Sequence, residues 1–184
     1  MKHIVSATIG GRNLTLETGE LARQASGSVV VSYDDTVVLC AAVAEMNPRV
    51  GMSFFPLTIE YREKTYAAGL FPGGFIKREG RLSDRETVGC RMVDRSMRPL
   101  FPETFSCETQ VQAIVVSSDQ QNQADILAIS GCSAAVAVSD IPHHGPVAGV
   151  RIGRVDGELL VNPTIAELEV STMNLVVAGT ADAI

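Results

Sequence analysis

The sequence has no long apolar run, no paired cysteine motif and no excess of positive charge, and each absence closes off a class of protein. Its most apolar window, Ile126 to Val138, is too short and too interrupted by Ser and Gly to span a bilayer, which takes about 20 apolar residues. That window reads as a buried helix. The four cysteines, Cys40, Cys90, Cys107 and Cys132, lie far apart, without the C-x-x-C spacing of a zinc site or the density of a disulfide framework. They fit reduced thiols in a cytosolic protein. Met1-Lys2-His3 leads into polar and charged residues, not into the apolar stretch and cleavage site of a secretory signal. Fifteen Lys and Arg against 21 Asp and Glu leave a net charge of −6, which argues against a chain that coats nucleic acid with its whole surface. Short-period repeats and low-complexity segments are also missing.

What remains is a globular chain of 184 residues, 46% hydrophobic, long enough for one large domain or two tightly joined small ones. Val29 to Tyr33 and Thr36 to Ala44 are strongly β-forming, and Asp34-Asp35 between them makes a tight turn, so a hairpin is expected. The turn accounts for both aspartates without a catalytic pair. Leu57 to Tyr61 reads as a third strand. Ser83 and Glu86 match a capping box, opening a helix that Pro99 ends. On that helix Val88, Cys90, Met92, Val93 and Met97 form an apolar-to-small arc, while Arg91, Arg95 and Arg98 share the opposite side with Asp94. Glu108 to Ser117 alternates as a strand, and Ala124 to Val138 is a helix of small residues suited to lying closely against a sheet. Asp156-Gly157 joins Val147–Val155 to Glu158–Val161 as a second hairpin. Thr164 to Glu169 reads as a short helix and Leu175 to Val177 as a last strand, and the end at Ile184 has the look of a truncation. The fold class is α+β.

Charge is unevenly distributed. Residues 62–98 hold nine of the 15 basic side chains and only five of the 21 acids. Two readings stand: a solvated helix face with Asp94 pairing to Arg98 at i,i+4, or a local site for a polyanion. Between Tyr61 and Ser83 lies a stretch with Gly69, Pro72, Gly73, Gly74 and Gly80, too rich in turn formers for a regular element. At its centre Phe75 and Ile76 directly precede Lys77 and Arg78. An exposed ring beside fixed cations is how single strands are gripped with little sequence preference, while a Phe on a loop also tucks into cores. Other candidates carry less. Adjacent His143 and His144 would point to opposite faces of a strand and lack a third ligand. Ser117-Ser118-Asp119 has no histidine partner or G-x-S-x-G context. Cys40, inside an apolar strand, reads as inert core.

Taken together, Phe54-Phe-Pro-Leu-Thr58, Thr65-Tyr-Ala-Ala-Gly69, Arg78-Glu-Gly-Arg81, Asp94-Arg95 and Arg98-Pro-Leu-Phe-Pro102 resemble the first ribonuclease PH-like core of the bacterial polynucleotide phosphorylase family. Leu16-Glu-Thr-Gly19, Ala22-Arg-Gln-Ala25, Asp34-Asp-Thr36 and Leu175-Val-Val-Ala-Gly-Thr180 extend the likeness over nearly the whole chain. The resemblance implies a ribonuclease PH-like core of ribosomal protein S5 domain 2-like topology, with mixed sheets packed against helices. Residues 1–145 would be the first domain, and 146–184 the start of its truncated C-terminal subdomain. It also implies a longer protein, a trimer with a second core, that degrades single-stranded RNA from the 3′ end with inorganic phosphate as co-substrate and Mg2+ as cofactor. That protein would act in the cytoplasm, in mRNA degradation, among degradation-complex components and away from membranes.

The resemblance places no catalytic or metal-binding residue in this chain. The serine pair that binds phosphate in the active core is matched here by Ala124-Asp125. The Asp and Lys before its Val-Ala-Gly-Thr are matched by Asn174 and Val176, and a second acidic position by Leu168. The family's RNA-guiding Phe-Phe-Arg-Arg loop is matched by Phe75-Ile76-Lys77-Arg78, so those four, with Arg81, Arg91 and Arg95, are the RNA-binding candidates. Ile76 cannot stack as a ring does, and Lys77 lacks the bidentate fork of Arg. Arg98, before Pro99, is read either as an RNA contact or as a structural salt-bridge former. A stand-alone, non-catalytic RNA-binding or ring-assembly module is the alternative reading.

Overall fold

The computed structural model describes residues 1–45, 47, 48, 51, 54–75 and 77–184. Six strands form one sheet, β1 (His3–Ile9), β2 (Arg12–Thr18), β3 (Gly27–Tyr33), β4 (Thr36–Ala44), β5 (Leu57–Glu63) and β6 (Thr109–Ser117). Their order is β1-β2-β3-β4-β6-β5, with every neighbouring pair antiparallel except β5 and β6. Three more, β7 (Ala148–Val155), β8 (Glu158–Val161) and β9 (Asn174–Gly179), make a second sheet in the order β8-β7-β9. The helices are α1 (Asp84–Met97), α2 (Ala124–Ala137) and the short α3 (Ile165–Val170).

Turn chemistry explains the hairpins. Asp34 (φ 49°) and the Asp156-Gly157 pair (φ 49° and 87°) adopt the left-handed conformation that tight turns need, and Asx residues and glycine tolerate it. Tyr33 therefore pairs with Thr36, and Val155 with Glu158. The expected helix start is also present: the Ser83 hydroxyl accepts from the Glu86 N–H while Glu86 accepts from the Ser83 N–H.

Two features differ from the sequence reading, which assigns no element before Val29. The chain there forms β1 and β2, turned by Gly10 and Gly11 at φ 55° and 78°. Strand β1 lies at the rim and is mostly exposed on both faces, so no burial imposes an apolar alternation on it. On α1, Val88 is 55% exposed, and the buried positions are Glu86, Gly89, Val93 and Met97. The helix turns this side toward the edge of β5, where backbone groups call for polar partners as well as apolar ones.

The core lies between the six-stranded sheet and its helices. Val29, Val31 and Tyr33 of β3 and Val38, Cys40 and Ala42 of β4 alternate inward, and α2 packs on β3, β4, β6, β7 and α1. Close approach is possible because α2 is built of small residues at these contacts. A Cβ on Gly131 would lie 2.6 Å from the Cys40 Sγ and against Val31 Cγ2. The Cys132 thiol beside Cys40, together with complete burial, pushes the Cys40 thiol up, which keeps it protonated and unreactive.

Gly131→Ala should therefore lower stability. Overpacking costs about 1–3 kcal/mol, more than the roughly 1 kcal/mol that alanine gains in helix propensity. Urea unfolding checks it, and a variant as stable as the parent would contradict the close packing of α2 on β3 and β4.

Candidate nucleic-acid interface

The loop after β5 is held at its ends and free at its tip. A short 3-10 turn, Thr65–Ala68, ends on left-handed Gly69, and Glu79 ties the returning chain back to it. Its carboxylate accepts from Lys64 Nζ at 2.6 Å, from the Thr65 N–H at 2.7 Å and from the Thr65 hydroxyl at 2.8 Å. Arg62 donates to the Gly80 carbonyl at 3.2 Å. Between these tethers Phe75 is fully exposed, beyond left-handed Gly74, and Lys77 is itself left-handed at φ 54°. Ile76 lies outside the described residues. Lys77, Arg78 and Arg81 are exposed and make no hydrogen bond or ion pair among the described residues.

The arginines of α1 divide into two kinds. Arg91 and Arg95 are exposed and unpaired among the described residues. They line an open groove of about 830 Å³ whose floor includes Thr58, Ile59 and Cys90. Arg98 instead serves the strand edge. Its Nη1 donates to the Phe55 carbonyl and its Nη2 to the Leu57 carbonyl, each at 3.2 Å, and Asp94 holds the guanidinium at 2.6 and 3.1 Å. Of the two readings for Arg98, the structure carries the structural one.

Arg98 is the last rung of a ladder. In a parallel pair alternate residues face the neighbour, so the odd positions of β5 face outward. Glu86 accepts from the Glu63 N–H at 3.0 Å, Cys90 Sγ accepts from the Tyr61 N–H at 3.1 Å, and Arg98 serves Leu57. Residues 86, 90 and, at the C-cap, 98 thus follow α1 in multiples of four while β5 descends in multiples of two, from 63 through 61 to 57. The steps match, because four helical residues rise about 6.0 Å and two strand residues about 6.6 Å. Burial alone would raise the Glu86 carboxyl, but hydrogen bonds from Ser83 and from the Glu63 N–H lower it, so the rung stays ionised.

A second cluster joins α2 to the three-stranded sheet. Asp125, in the first turn of α2, pairs with Arg151 of β7 at 2.8 Å, and Arg151 Nη1 donates to Asn174 Oδ1 of β9 at 2.5 Å. Both ion-pair side chains are about nine-tenths buried, so losing one partner would cost on the order of 3–5 kcal/mol. Asn174 and Val176 are neighbours of β7 in the sheet, Val176 directly opposite Arg151, and Leu168 is half-buried on α3. The residues do not suit a divalent cation, since the Asp125 carboxylate already faces a guanidinium and no group of three His, Cys, Asp or Glu gathers elsewhere among the described residues. The sequence reading missed Arg151. Its signal was a lone cation at an inward strand position between Gly149 and Gly153.

Two profiles of one family cover this architecture. That of the 3′ exoribonuclease family, domain 1, matches residues 10–142, and that of domain 2 matches residues 145–184. The chain belongs to the 3′ exoribonuclease family. Its relatives include the polyribonucleotide nucleotidyltransferases of Geobacter sulfurreducens, 56% identical over 100% of this chain and 26% of that protein, and of Sorangium cellulosum, 57% identical over 97% and 24%. The chain thus spans about a quarter of the length of these relatives. Among solved structures, rice (Oryza sativa) Rrp46 matches with a TM-score of 0.70 at 17% identity, covering 97% of this chain and 74% of that one. The fold is the α+β ribonuclease PH-like fold. Among the described residues no helix is long and apolar enough to cross a membrane.

The loop tether has a pH signature. The Lys64 ammonium first, then the Thr65 N–H and hydroxyl, hold the Glu79 carboxyl down to about 2 from an ordinary 4.5. A depressed folded value means the tether's contribution is complete above pH 4.5 and is lost as pH falls toward 2. In an NMR titration the Thr65 amide should move with a midpoint near 2; a midpoint near 4.5 would mean that Glu79 is untethered.

Proposed function

We propose that this chain is the N-terminal part of a phosphate-dependent 3′-to-5′ exoribonuclease, a polyribonucleotide nucleotidyltransferase that acts on RNA in the cytoplasm in mRNA degradation. Residues 1–145 are its first ribonuclease PH-like domain and 146–184 the start of the C-terminal subdomain. This core guides single-stranded RNA and supports a homotrimeric ring that meets other degradation components. Phosphorolysis, with inorganic phosphate as co-substrate and Mg2+ as cofactor, belongs to the rest of the longer protein.

The observation that carries this reading is the tethered loop whose tip offers an exposed ring and two unpaired cations. Phe75 is free to stack on a base, and Lys77 and Arg78 to neutralise neighbouring phosphates. Arg81, Arg91 and Arg95 extend the positive surface. Charge without many rings grips a backbone with little regard to sequence. The cluster of Asp125, Arg151 and Asn174 supports placing the chemistry elsewhere, because a fixed carboxylate repels an attacking phosphate.

Replacing Lys77 and Arg78 together by alanine in the full-length protein should weaken single-stranded RNA binding and reduce the slope of log K against log salt by about 0.7 for each lost phosphate contact. Unchanged affinity and slope would remove the loop from the RNA path. Phosphate-dependent release of nucleoside diphosphate should occur with the full-length protein and not with the 184-residue chain. Activity in the short chain would move the chemistry into this core, and inactivity of both would favour a non-catalytic module.

A further inference from the structure

Three of the six phenylalanines, Phe55, Phe101 and Phe105, gather with ring centroids 4.8, 5.5 and 6.2 Å apart, and Arg98 lies over Phe55. Two others do the opposite. Phe71 and Phe75, four residues apart on the tethered loop, stand in water: Phe71 is 92% exposed and Phe75 fully so. Neither ring leans on the other or on the protein, so folding gains almost nothing from either.

The backbone presents Phe71 more rigidly than Phe75. Pro72 fixes its own φ and disfavours the helical region for the residue before it, whereas Phe75 follows Gly73 and left-handed Gly74. Holding Phe71 against a ligand therefore costs less conformational freedom. The charge around the rings is of one sign. No acidic residue lies between Lys64 and Glu79, and Glu79 is itself engaged by Lys64 and Thr65. An apolar protein partner calls for a contiguous patch whose side chains cover one another's flanks, but Pro72-Gly73-Gly74 separates these two rings and leaves both faces of each open. Isolated rings beside unpaired cations match the bases and phosphates of a single strand instead.

We propose that Phe71 is a second base-stacking platform for single-stranded RNA, so that the loop holds one strand at two bases. The proposal rests on the RNA reading of the loop and extends it to a residue outside the Phe75-to-Arg78 segment. Four residues reach at most about 14 Å, and stacked bases follow one another at about 3.4 Å along a strand. The two rings therefore serve different bases of the same strand, while Lys77 and Arg78 neutralise its phosphates. Stacking of this kind tolerates any sequence, because every base has a π-face.

Phe71→Ala in the full-length protein should weaken binding of a single-stranded RNA oligonucleotide about five- to 150-fold. The slope of log K against log salt should not change, because a stack is lost and no phosphate contact is. Phe71→Trp should bind at least as well as the unaltered protein, whereas Phe71→Leu, apolar but without a π-face, should fall with alanine. On an abasic oligonucleotide of equal length the unaltered protein and Phe71→Ala should bind alike. The ring packs on nothing, so the melting temperature should stay the same. If Phe71→Ala binds RNA as the unaltered protein does, or loses as much on the abasic strand, Phe71 is no platform. The RNA reading of the loop then still stands where Lys77→Ala/Arg78→Ala weakens binding, and falls with the proposal where it does not. Phe71→Leu binding like the unaltered protein, or an altered oligomeric mass in Phe71→Ala, also overturns the proposal, because the ring would then be packing on a protein surface.

Discussion

Helix α2 has no solvent face to spare, and the rest of the structure is arranged around that constraint. Eleven of its 14 residues are buried, from Ala124 to Val136, and it meets strands of both sheets as well as α1. A helix enclosed on all sides cannot be amphipathic; it needs small residues where backbones approach and a polar group only where a partner waits. Gly131 meets the first need, opposite Val31 and Cys40, and Ser130 and Ser133 the second, accepting from the Gly149 and Val147 N–H groups. The same enclosure forces Asp125 to find a cation, and β7 brings Arg151 to it.

Local signals were legible and tertiary ones were not. The two hairpins could be read because a dipeptide in a tight turn announces itself, and α1 because Ser83 and Glu86 satisfy each other over three residues. Strand β1 escaped because a rim strand wet on both faces carries no alternation, and β2 because it is half-buried along nearly its whole length, without a buried and an exposed face to alternate. Val88 was misplaced because the wheel assumes an apolar neighbour, whereas α1 lies along a strand edge that also needs acceptors and donors.

The same division runs through the two sites. The basic loop was legible as a local excess of charge, since its cations lie close in sequence and outnumber the acids around them. Its tethers were less so: Glu79 reaches 14 residues back to Thr65, and Arg98 reaches 41 back to Leu57. The buried cluster was the least legible, because Arg151 stands 26 residues from Asp125 and 23 from Asn174, and only the packing of β7 between α2 and β9 unites them. Resemblance pointed to Asp125 and Asn174, and the geometry adds Arg151 as the partner of both.

The ladder from α1 to β5 also bears on solubility. An open strand edge is a template on which another chain can extend a sheet, and proteins that leave one bare risk fibrous aggregation. Here side chains of a helix and its C-cap stand in for the missing neighbour strand, leaving, of the outward-facing residues 57, 59, 61 and 63, only Ile59 without a rung among the described residues. One unclaimed residue is too short a foothold for a docking strand. Because helix and strand steps differ by about 0.6 Å, such a mask drifts out of phase after a few rungs. The 14 residues of α1 cover the seven of β5 before that drift matters, so the sheet stops growing at this side without a β-strand being needed to end it.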